Sequence, residues 1–274
     1  IALRVKDAIV DRMRARCGAR PGVDREDPDV SVFVRVVEDR ATVALDLAGE
    51  PLHRRGYRLD GGPAPLKETL AAALLRMSGW DRRAPLADPM CGSGTIPIEA
   101  ALWGAGVAPG RGRARFGFER WAGHDESARR QMAELRAAAE DAARSAPAAD
   151  IVAGDLDPAA LRRAEANARR AGVRLRFHAG SVETLPAFDR PGFIVTNPPY
   201  DRRLAAGADL YERLAELCRR HPSDIIAVLS GDPGLARVLP RRPALSRTLF
   251  NGDLECRFRV YPPRGATTGN LSRD

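Results

Sequence analysis

The first segment able to do chemistry is a turn that contains two glycines. Its residues are Asp88, Pro89, Met90, Cys91, Gly92, Ser93, Gly94 and Thr95. Residues 83–87 before it are predicted to form a short strand, and the alanine-rich stretch 95–103 a helix. Gly92 and Gly94 would let the backbone approach a ligand closely, because neither has a Cβ. Asp88 would place an acid at the carboxyl edge of the sheet, where open α/β sheets bind ligands.

The turn differs from two common phosphate-binding loops. Pro97 occupies the position of the third glycine in the dinucleotide fingerprint, and no Gly-Lys-Ser/Thr closes the turn as in a phosphate-cradling loop. Thr95 is expected to cap the helix, whose first N–H groups would point into the crevice. Taken alone, the turn also fits a purely structural role in an α/β domain.

The second segment is Asn197-Pro198-Pro199-Tyr200, which follows a predicted strand at 193–195. In isolation it is a loop with a turn-forming asparagine. Because it follows a strand and lies downstream of the glycine turn, we expect it at the same edge of the sheet as Asp88. The two segments together favour a ligand site over two unrelated turns.

These segments resemble the class I S-adenosylmethionine-dependent methyltransferases that act on exocyclic or amide nitrogens. The closer likeness is to RNA guanine-N2 methyltransferases with a THUMP RNA-binding domain, and within those to bacterial 23S rRNA enzymes of the RlmL type. Four more stretches are similar to that group: residues 3–11, 52–58, 64–71 and 118–121. The resemblance implies S-adenosyl-L-methionine as cofactor and RNA as substrate, either rRNA or tRNA.

The cofactor site that the resemblance implies draws on four parts of the chain. Its residues are Lys67, Asp88, Pro89, Cys91, Gly92, Ser93, Gly94, Thr95, Asp155, Leu156, Ser181 and Val182. Asp155 directly follows the predicted strand 150–154, where a carboxylate can accept hydrogen bonds from both ribose hydroxyls. Leu156 would offer an apolar face to adenine, while Asp157 is expected to cap the helix that Pro158 opens. Ser181 departs from the family, in which an acid is common at that position.

The catalytic residues implied by the resemblance are Asn197, Pro198, Pro199 and Tyr200. An exocyclic amine shares its lone pair with the base and is a poor nucleophile. The Asn197 side-chain oxygen and the Pro198 carbonyl would accept its N–H bonds and stabilise the cationic amine that forms. Tyr200 would stack on the base and hold it in line with the methyl group.

Two alternatives stay open. The same four residues also serve adenine-N6 and glutamine-N5 methyltransferases, so the accepting nitrogen is not decided. An RNA-binding module with an inactive methyltransferase fold is the non-enzymatic alternative.

The charge composition favours a polyanionic partner. The chain carries 44 Lys and Arg against 36 Asp and Glu, a net charge of +8. Nearly all of this positive charge is arginine in an alanine-rich background, which base composition of the genome can also produce. The predicted RNA contacts are Arg54, Arg55, Arg58, Arg111, Arg113 and Arg115. A solvated connector is an equal interpretation for residues 52–58, and the aromatics near 116–121 are expected to pin their loop to the core.

Cysteine and histidine usage indicates a reduced, cytoplasmic protein without a metal site. The four cysteines and four histidines are scattered, without disulfide-framework or metal-ligand spacing. No apolar run is long enough to span a membrane, and no signal peptide is evident. The chain begins at Ile1 rather than Met, which suggests a fragment.

The predicted fold is α/β, a Rossmann-like class I methyltransferase with a mainly parallel, doubly wound sheet. Strands alternate with helices after residue 61, and a C-terminal antiparallel hairpin at 248–261 ends the sheet. Residues 1–60 are expected to form a small α+β segment, a helix over 1–20 and a hairpin over 31–47, similar to the C-terminal half of a THUMP domain plus linker. Residues 61–274 are expected to form the methyltransferase domain, so the other THUMP half, or a fused domain, would belong to a longer protein.

Overall fold

The computed structural model describes residues 2–58, 66–144, 146–199 and 206–265. The chain divides into two compact units. One contains Ile1–Leu52 and Arg113–Arg136, and the other contains His53–Gly112 and Ala137–Asp274. The predicted boundary between residues 60 and 61 lies outside the described residues, so the two predicted domains stay a prediction.

The helices and strands alternate through most of the chain. The α-helices are α1 (Ala2–Cys17), α2 (Glu68–Met77), α3 (Thr95–Gly104), α4 (Glu126–Ala142), α5 (Pro158–Ala171), α6 (Ala206–Arg220) and α7 (Leu235–Val238). The strands are β1 (Ser31–Val37), β2 (Arg40–Asp46), β3 (Leu86–Asp88), β4 (Ile151–Asp155), β5 (Arg176–Ala179), β6 (Phe193–Thr196), β7 (Ile225–Ser230), β8 (Leu245–Asn251) and β9 (Leu254–Tyr261). Short 3-10 helices occupy Gly117–Arg120 and Val182–Thr184.

The smaller unit contains the predicted hairpin of β1 and β2. The two strands pair antiparallel with Val37 opposite Arg40. Glu38 and Asp39 connect them with φ values of 48° and 60°, the two left-handed residues that a tight hairpin turn requires. Helix α1 ends at Cys17, earlier than predicted, because Gly18 adopts a φ of 74° and its N–H bonds back to Arg14.

The larger unit is built on a seven-stranded sheet of order β5-β4-β3-β6-β7-β9-β8. Strands β3 to β7 pair in parallel, and β9 joins β7 antiparallel with β8 outside it. Because the chain moves from β3 to β4 on one side and later to β6 on the other, the order reverses beside β3 and opens a crevice at the carboxyl ends of the strands. The predicted mainly parallel sheet with an antiparallel finish is confirmed.

Apolar clusters cover the sheet on both faces. One cluster joins Leu74 of α2 and Ile96 of α3 to the sheet residue Val195. Another joins Leu214 and Leu217 of α6 to further sheet residues. Burial on both faces explains why the central strands are continuously apolar and do not alternate.

Two further predicted element boundaries were wrong by three residues. Strand β3 starts at Leu86 instead of residue 83, because the Asp81 side chain accepts hydrogen bonds from the N–H groups of Arg83 and Ala84 and keeps them in a turn. Helix α2 starts at Glu68, directly after Lys67, whose backbone is extended. The first strand of the C-terminal hairpin starts earlier than predicted, at Leu245, where it pairs with β9.

Candidate active site

A hydrogen bond joins the two chemically suggestive segments. Asp88 ends β3, and Thr196 ends the neighbouring strand β6. The Thr196 hydroxyl donates to Asp88 Oδ1 at 2.7 Å, and the Met90 N–H donates to the same oxygen at 3.1 Å. The predicted shared edge of the sheet is therefore correct, and Asn197 directly follows the residue that makes the link.

Asp88 itself is less accessible than the sequence indicated. Its side chain is a buried carboxyl with 2% relative exposure, not an open acid at the mouth of the crevice. Burial raises the pKa of Asp88 to about 7, against the opposing effect of the hydrogen bonds from Thr196 and Met90, and the charge of Asp155 raises it further. The Asp88 carboxyl thus joins β6, through Thr196, to the glycine turn, through Met90.

The raised pKa of Asp88 predicts a pH-dependent stability. A carboxyl with a pKa of about 7 in the fold, against 3.8 ordinarily, stabilises the fold fully at low pH. That contribution is lost as the pH rises through 7, at about 1.4 kcal/mol per unit of pKa difference. We expect the difference in unfolding free energy between the wild type and Asp88→Asn to shrink or reverse between pH 4 and 7, measured by urea denaturation. A difference that stays constant with pH would contradict this.

The glycine turn needs both of its glycines, for different reasons. Gly92 and Gly94 have φ values of 56° and 84°, in the left-handed region. A Cβ on Gly94 would lie 3.0 Å from the Cβ of Ala164 on α5, whereas a Cβ on Gly92 would meet none of the described residues within 4 Å. Gly94 therefore permits helix packing, and the space beside Gly92 is open.

The predicted cap at Thr95 was wrong. Gly94 is the N-cap residue of α3 and Thr95 is the first helical residue, with its side chain buried. The left-handed conformation of Gly94 turns the chain into the helix one residue earlier than the sequence indicated. Because Gly94 has no side chain, it gives the first N–H groups of α3 no side-chain cap.

Alanine substitutions distinguish the two glycines. We expect Gly94→Ala to lower the unfolding free energy by about 2–3 kcal/mol, since it adds overpacking against Ala164 to left-handed strain. Gly92→Ala adds only the strain of about 1 kcal/mol. Thermal and urea denaturation of both variants tests this; equal losses of stability would show that the contact with Ala164 is unimportant.

Asp155, the second predicted acid, is hydrogen-bonded to the same turn. Its Oδ2 accepts the Gly92 N–H at 2.8 Å, and its Oδ1 accepts the N–H of Asp157 at 2.9 Å. An ionised carboxylate has about four acceptor positions, so two remain for a ligand. The predicted cap by Asp157 is confirmed, because its side chain accepts the Ala159 N–H at 2.8 Å at the start of α5.

The remaining predicted cofactor residues differ in their exposure to solvent. Leu156 is 71% exposed beside Asp155, and Lys67 is also exposed. Val182 is buried in the core, next to the partly exposed Ser181. Cys91 is buried as well; burial raises the pKa of its thiol, and its N–H donates to the Gly154 carbonyl at 2.8 Å. Pro89 and Ser93 complete the turn, buried and half-buried respectively.

The predicted catalytic segment is described as far as residue 199. Asn197 is half-buried, Pro198 is buried and Pro199 is exposed. Tyr200 lies outside the described residues, so its stacking role stays a prediction. Strand β6 delivers Asn197 and Pro198 to the crevice through its parallel pairing with β3 and β7.

Two supporting residues were missed by the sequence analysis, Thr196 and Asn167. Asn167 on α5 is fully buried and donates to the Ser93 carbonyl at 2.8 Å, which fixes the turn from beneath. It shares the buried face of α5 with Ala160, Ala164 and Ala168. An amide on an otherwise small, apolar helix face is the sequence signal that could have identified it.

Most of the predicted RNA-contacting arginines make ion pairs or backbone contacts. Arg55 pairs with Glu99 at 3.5 Å and Arg58 with Glu68 at 2.5 Å, and all four side chains are largely buried. Arg54 is exposed. Burial raises the pKa of Glu99 although Arg55 and Tyr57 favour its charged form. Arg55 and Arg58 therefore hold residues 53–58 against α3 and α2 within the larger unit.

Of the other three predicted arginines, one lies in the larger unit and two lie in the smaller unit. Arg111 in the larger unit pairs with Glu140. In the smaller unit, Arg113 donates to backbone carbonyls at residues 48–51 and lies 5.4 Å from the ring centroid of Phe116. Arg115 is 59% exposed and 4.0 Å from Asp27.

Within the described part of the chain there is no His/Cys/Asp/Glu group that could hold a metal ion, and none of the helices is long and apolar enough to cross a membrane.

Family comparisons agree with the residues that carry the resemblance. Residues 55–259 match the family described as RMKL-like, methyltransferase domain, and residues 1–46 match the THUMP domain. The chain belongs to the RMKL-like methyltransferase family. The predicted resemblance to THUMP-associated methyltransferases is thereby confirmed.

Similar curated proteins are long ribosomal RNA methyltransferases. "Ribosomal RNA large subunit methyltransferase K/L" of Methylococcus capsulatus is 44% identical over 280 residues, covering 96% of this chain and 37% of its own length. The protein of the same name from Syntrophotalea carbinolica is 44% identical over 94% of this chain and 38% of its own length. The chain thus spans about two fifths of the length of the curated relatives it matches.

Solved structures of methylases share the fold. A possible methylase from Clostridium difficile 630 has a TM-score of 0.83 and 31% identity, covering 96% of this chain and 70% of that protein. SMU.472, a putative methyltransferase complexed with SAH, has a TM-score of 0.80 and 30% identity over the same shares. A predicted N6-adenine-specific DNA methylase from Listeria monocytogenes has a TM-score of 0.77 and 32% identity, covering 94% of this chain and 67% of that protein.

Proposed function

We propose that this chain transfers a methyl group from S-adenosyl-L-methionine to the exocyclic N2 of a guanosine in 23S rRNA. The observation that carries the proposal is the hydrogen bond between Thr196, which precedes Asn197, and Asp88, which precedes the glycine turn. It supports a single site formed by the two segments. The names of the curated relatives support rRNA as the substrate. The THUMP match and the net charge of +8 support RNA.

The glycine turn fits the adenosine end of the cofactor. The open space beside Gly92 leaves room for a ligand against the backbone, and Asp155 keeps two acceptor positions for ribose hydroxyls. Leu156, exposed beside it, offers the apolar surface that an adenine ring requires. SMU.472, which shares the fold, was solved with the demethylated product SAH. When bound, the cofactor supplies an electrophilic methyl group on a sulfonium.

Asn197 and Pro198 would activate the acceptor amine. The Asn197 side-chain oxygen and the Pro198 carbonyl accept the two N–H bonds of the amine and stabilise its positive charge as the new bond forms. Pro198 and Pro199 lack N–H groups and fix the turn, so acceptors alone face the amine. The base reaches this pocket only when unpaired or extruded from a helix.

Adenine-N6 methylation is the second candidate, favoured by the name of the Listeria methylase. Mass spectrometry of nucleosides from unmodified rRNA treated with the protein and labelled cofactor separates the two. We expect labelled N2-methylguanosine. Labelled N6-methyladenosine would replace the proposed acceptor, and calorimetry showing no cofactor binding would remove the proposed reaction altogether.

We further propose a cytoplasmic site of action, since free rRNA is made and modified there. Cys17, Cys91, Cys218 and Cys256 are all free thiols, as a reducing compartment requires.

A further inference from the structure

A second concave surface lies on the larger unit, distinct from the crevice at Asn197. It is a groove of about 790 Å³ between α2, α3 and α5. Its polar and aromatic lining consists of Arg55, Tyr57, Arg76, Glu99, Trp103, Arg111 and Arg170. Trp103 lies near the carboxyl end of α3, about 12 Å along the helix axis from Thr95. The groove therefore opens toward the opposite edge of the sheet from the glycine turn.

The charge of this groove is positive. Glu99 is its one lining carboxylate among the described residues, and it is buried and paired with Arg55. Arg111 is balanced by Glu140. Arg76 and Arg170 are exposed, and neither forms a salt bridge within the described part of the chain. The excess charge of the lining therefore resides on Arg76 and Arg170, and the exposed Arg82, which stacks on the lining residue Trp103, adds to it.

The arginines are held in fixed positions. The guanidinium of Arg76 lies 5.6 Å from the ring centroid of Trp103, and that of Arg82, which is not itself a lining residue, lies at the same distance from that centroid. Trp103 is in turn packed edge-on against Trp80 at 5.7 Å. Arg170 donates to the Tyr57 carbonyl at 2.8 Å and to Asn167 at 2.5 Å. Arginines stacked on a ring keep their N–H edges directed outward, which is the geometry that binds phosphate oxygens.

We infer that this groove binds the sugar-phosphate backbone of an RNA segment that flanks the target nucleotide. The inference rests on the proposed RNA substrate and adds a contact surface remote from the reacting base. Phosphate contacts position an RNA without reading its sequence. The groove would thus supply affinity and register, while the crevice at Asn197 selects the base.

The test compares charge-removing and charge-conserving variants at the two arginines stacked on Trp103. Binding of a fluorescein-labelled RNA hairpin with single-stranded flanks is measured by anisotropy between about 50 and 200 mM salt. We expect Arg76→Gln/Arg82→Gln to weaken binding severalfold at low salt and to reduce the slope of log K against log salt by about 1 to 1.5. Arg76→Lys/Arg82→Lys should retain most of that slope. Thermal denaturation checks that both variants are folded.

Arg219→Gln/Arg247→Gln is the matched control. It removes the same charge from exposed positions on α6 and β8, away from the groove, and should leave the slope unchanged. A wild-type slope in the Arg76→Gln/Arg82→Gln variant would overturn the inference and leave the proposed reaction intact. A wild-type protein that binds no RNA would overturn both. Saturable binding of a poly-glutamate peptide that only the groove variant loses, with RNA binding unchanged, would assign the groove to an acidic polypeptide and also overturn the inference.

Discussion

Asn197→Ala should lower kcat for methyl transfer by about 10²–10³-fold. The side-chain oxygen of Asn197 is one of two acceptors proposed to stabilise the charged amine, and the substitution removes it from a segment that β6 holds in place. Cofactor affinity should stay close to that of the wild type, because the glycine turn and Asp155 are untouched. Single-turnover transfer of a labelled methyl group to rRNA measures the first quantity, and calorimetry measures the second.

Asn251→Ala is the control for this variant. It removes a partly buried asparagine at the end of β8, far along the sheet order from β6. Its kcat should match that of the wild type. An Asn197→Ala protein that transfers methyl groups at the wild-type rate would remove the proposed role of the Asn-Pro-Pro segment.

Asp155→Ala should weaken cofactor binding by about 100-fold. The carboxylate accepts the N–H groups of Gly92 and Asp157, and its remaining acceptors are proposed to take ribose hydroxyls. Hydrogen bonds to a charged group contribute about 1.5–3 kcal/mol each, and every 1.4 kcal/mol is a factor of ten in affinity. Calorimetric titration with S-adenosylmethionine gives the dissociation constant directly.

Asp150→Ala provides the matched comparison at the other end of β4. Asp150 is exposed and pairs with Arg176, so its loss changes the net charge equally without reaching the glycine turn. We expect its cofactor affinity to equal that of the wild type. Equal affinities for the two alanine variants would show that Asp155 holds the turn but does not contact the cofactor.

Much of the fold could be predicted because its signals are local. Alternating strands and helices, the hairpin at Glu38-Asp39 and the cap at Asp157 each follow from neighbouring residues. The edge shared by the Asp88 and Asn197 segments could also be predicted, since both follow strands. The burial of Asp88 could not, because it depends on Thr196, which lies 108 positions away in the chain.

Which arginines are paired and which are exposed could not be predicted either, because their partners lie far away in the chain. The composition of the basic stretch at residues 54–58 indicates a connector that is either solvated or in contact with RNA. The structure pairs Arg55 with Glu99 on α3 and Arg58 with Glu68 on α2. The positive groove instead depends on Arg76 and Arg170, two residues that helical spacing presents as ordinary exposed charges.

The two outer strands of the seven-stranded sheet protect it from growing. Strand β5 has only four residues, and each outer strand carries an arginine, Arg176 on β5 and Arg247 on β8. A charged side chain on an open strand disfavours pairing with a strand from another molecule, because the charge would lose its water in the new ladder. The charged outer strands therefore also disfavour fibril-like aggregation when the protein is concentrated.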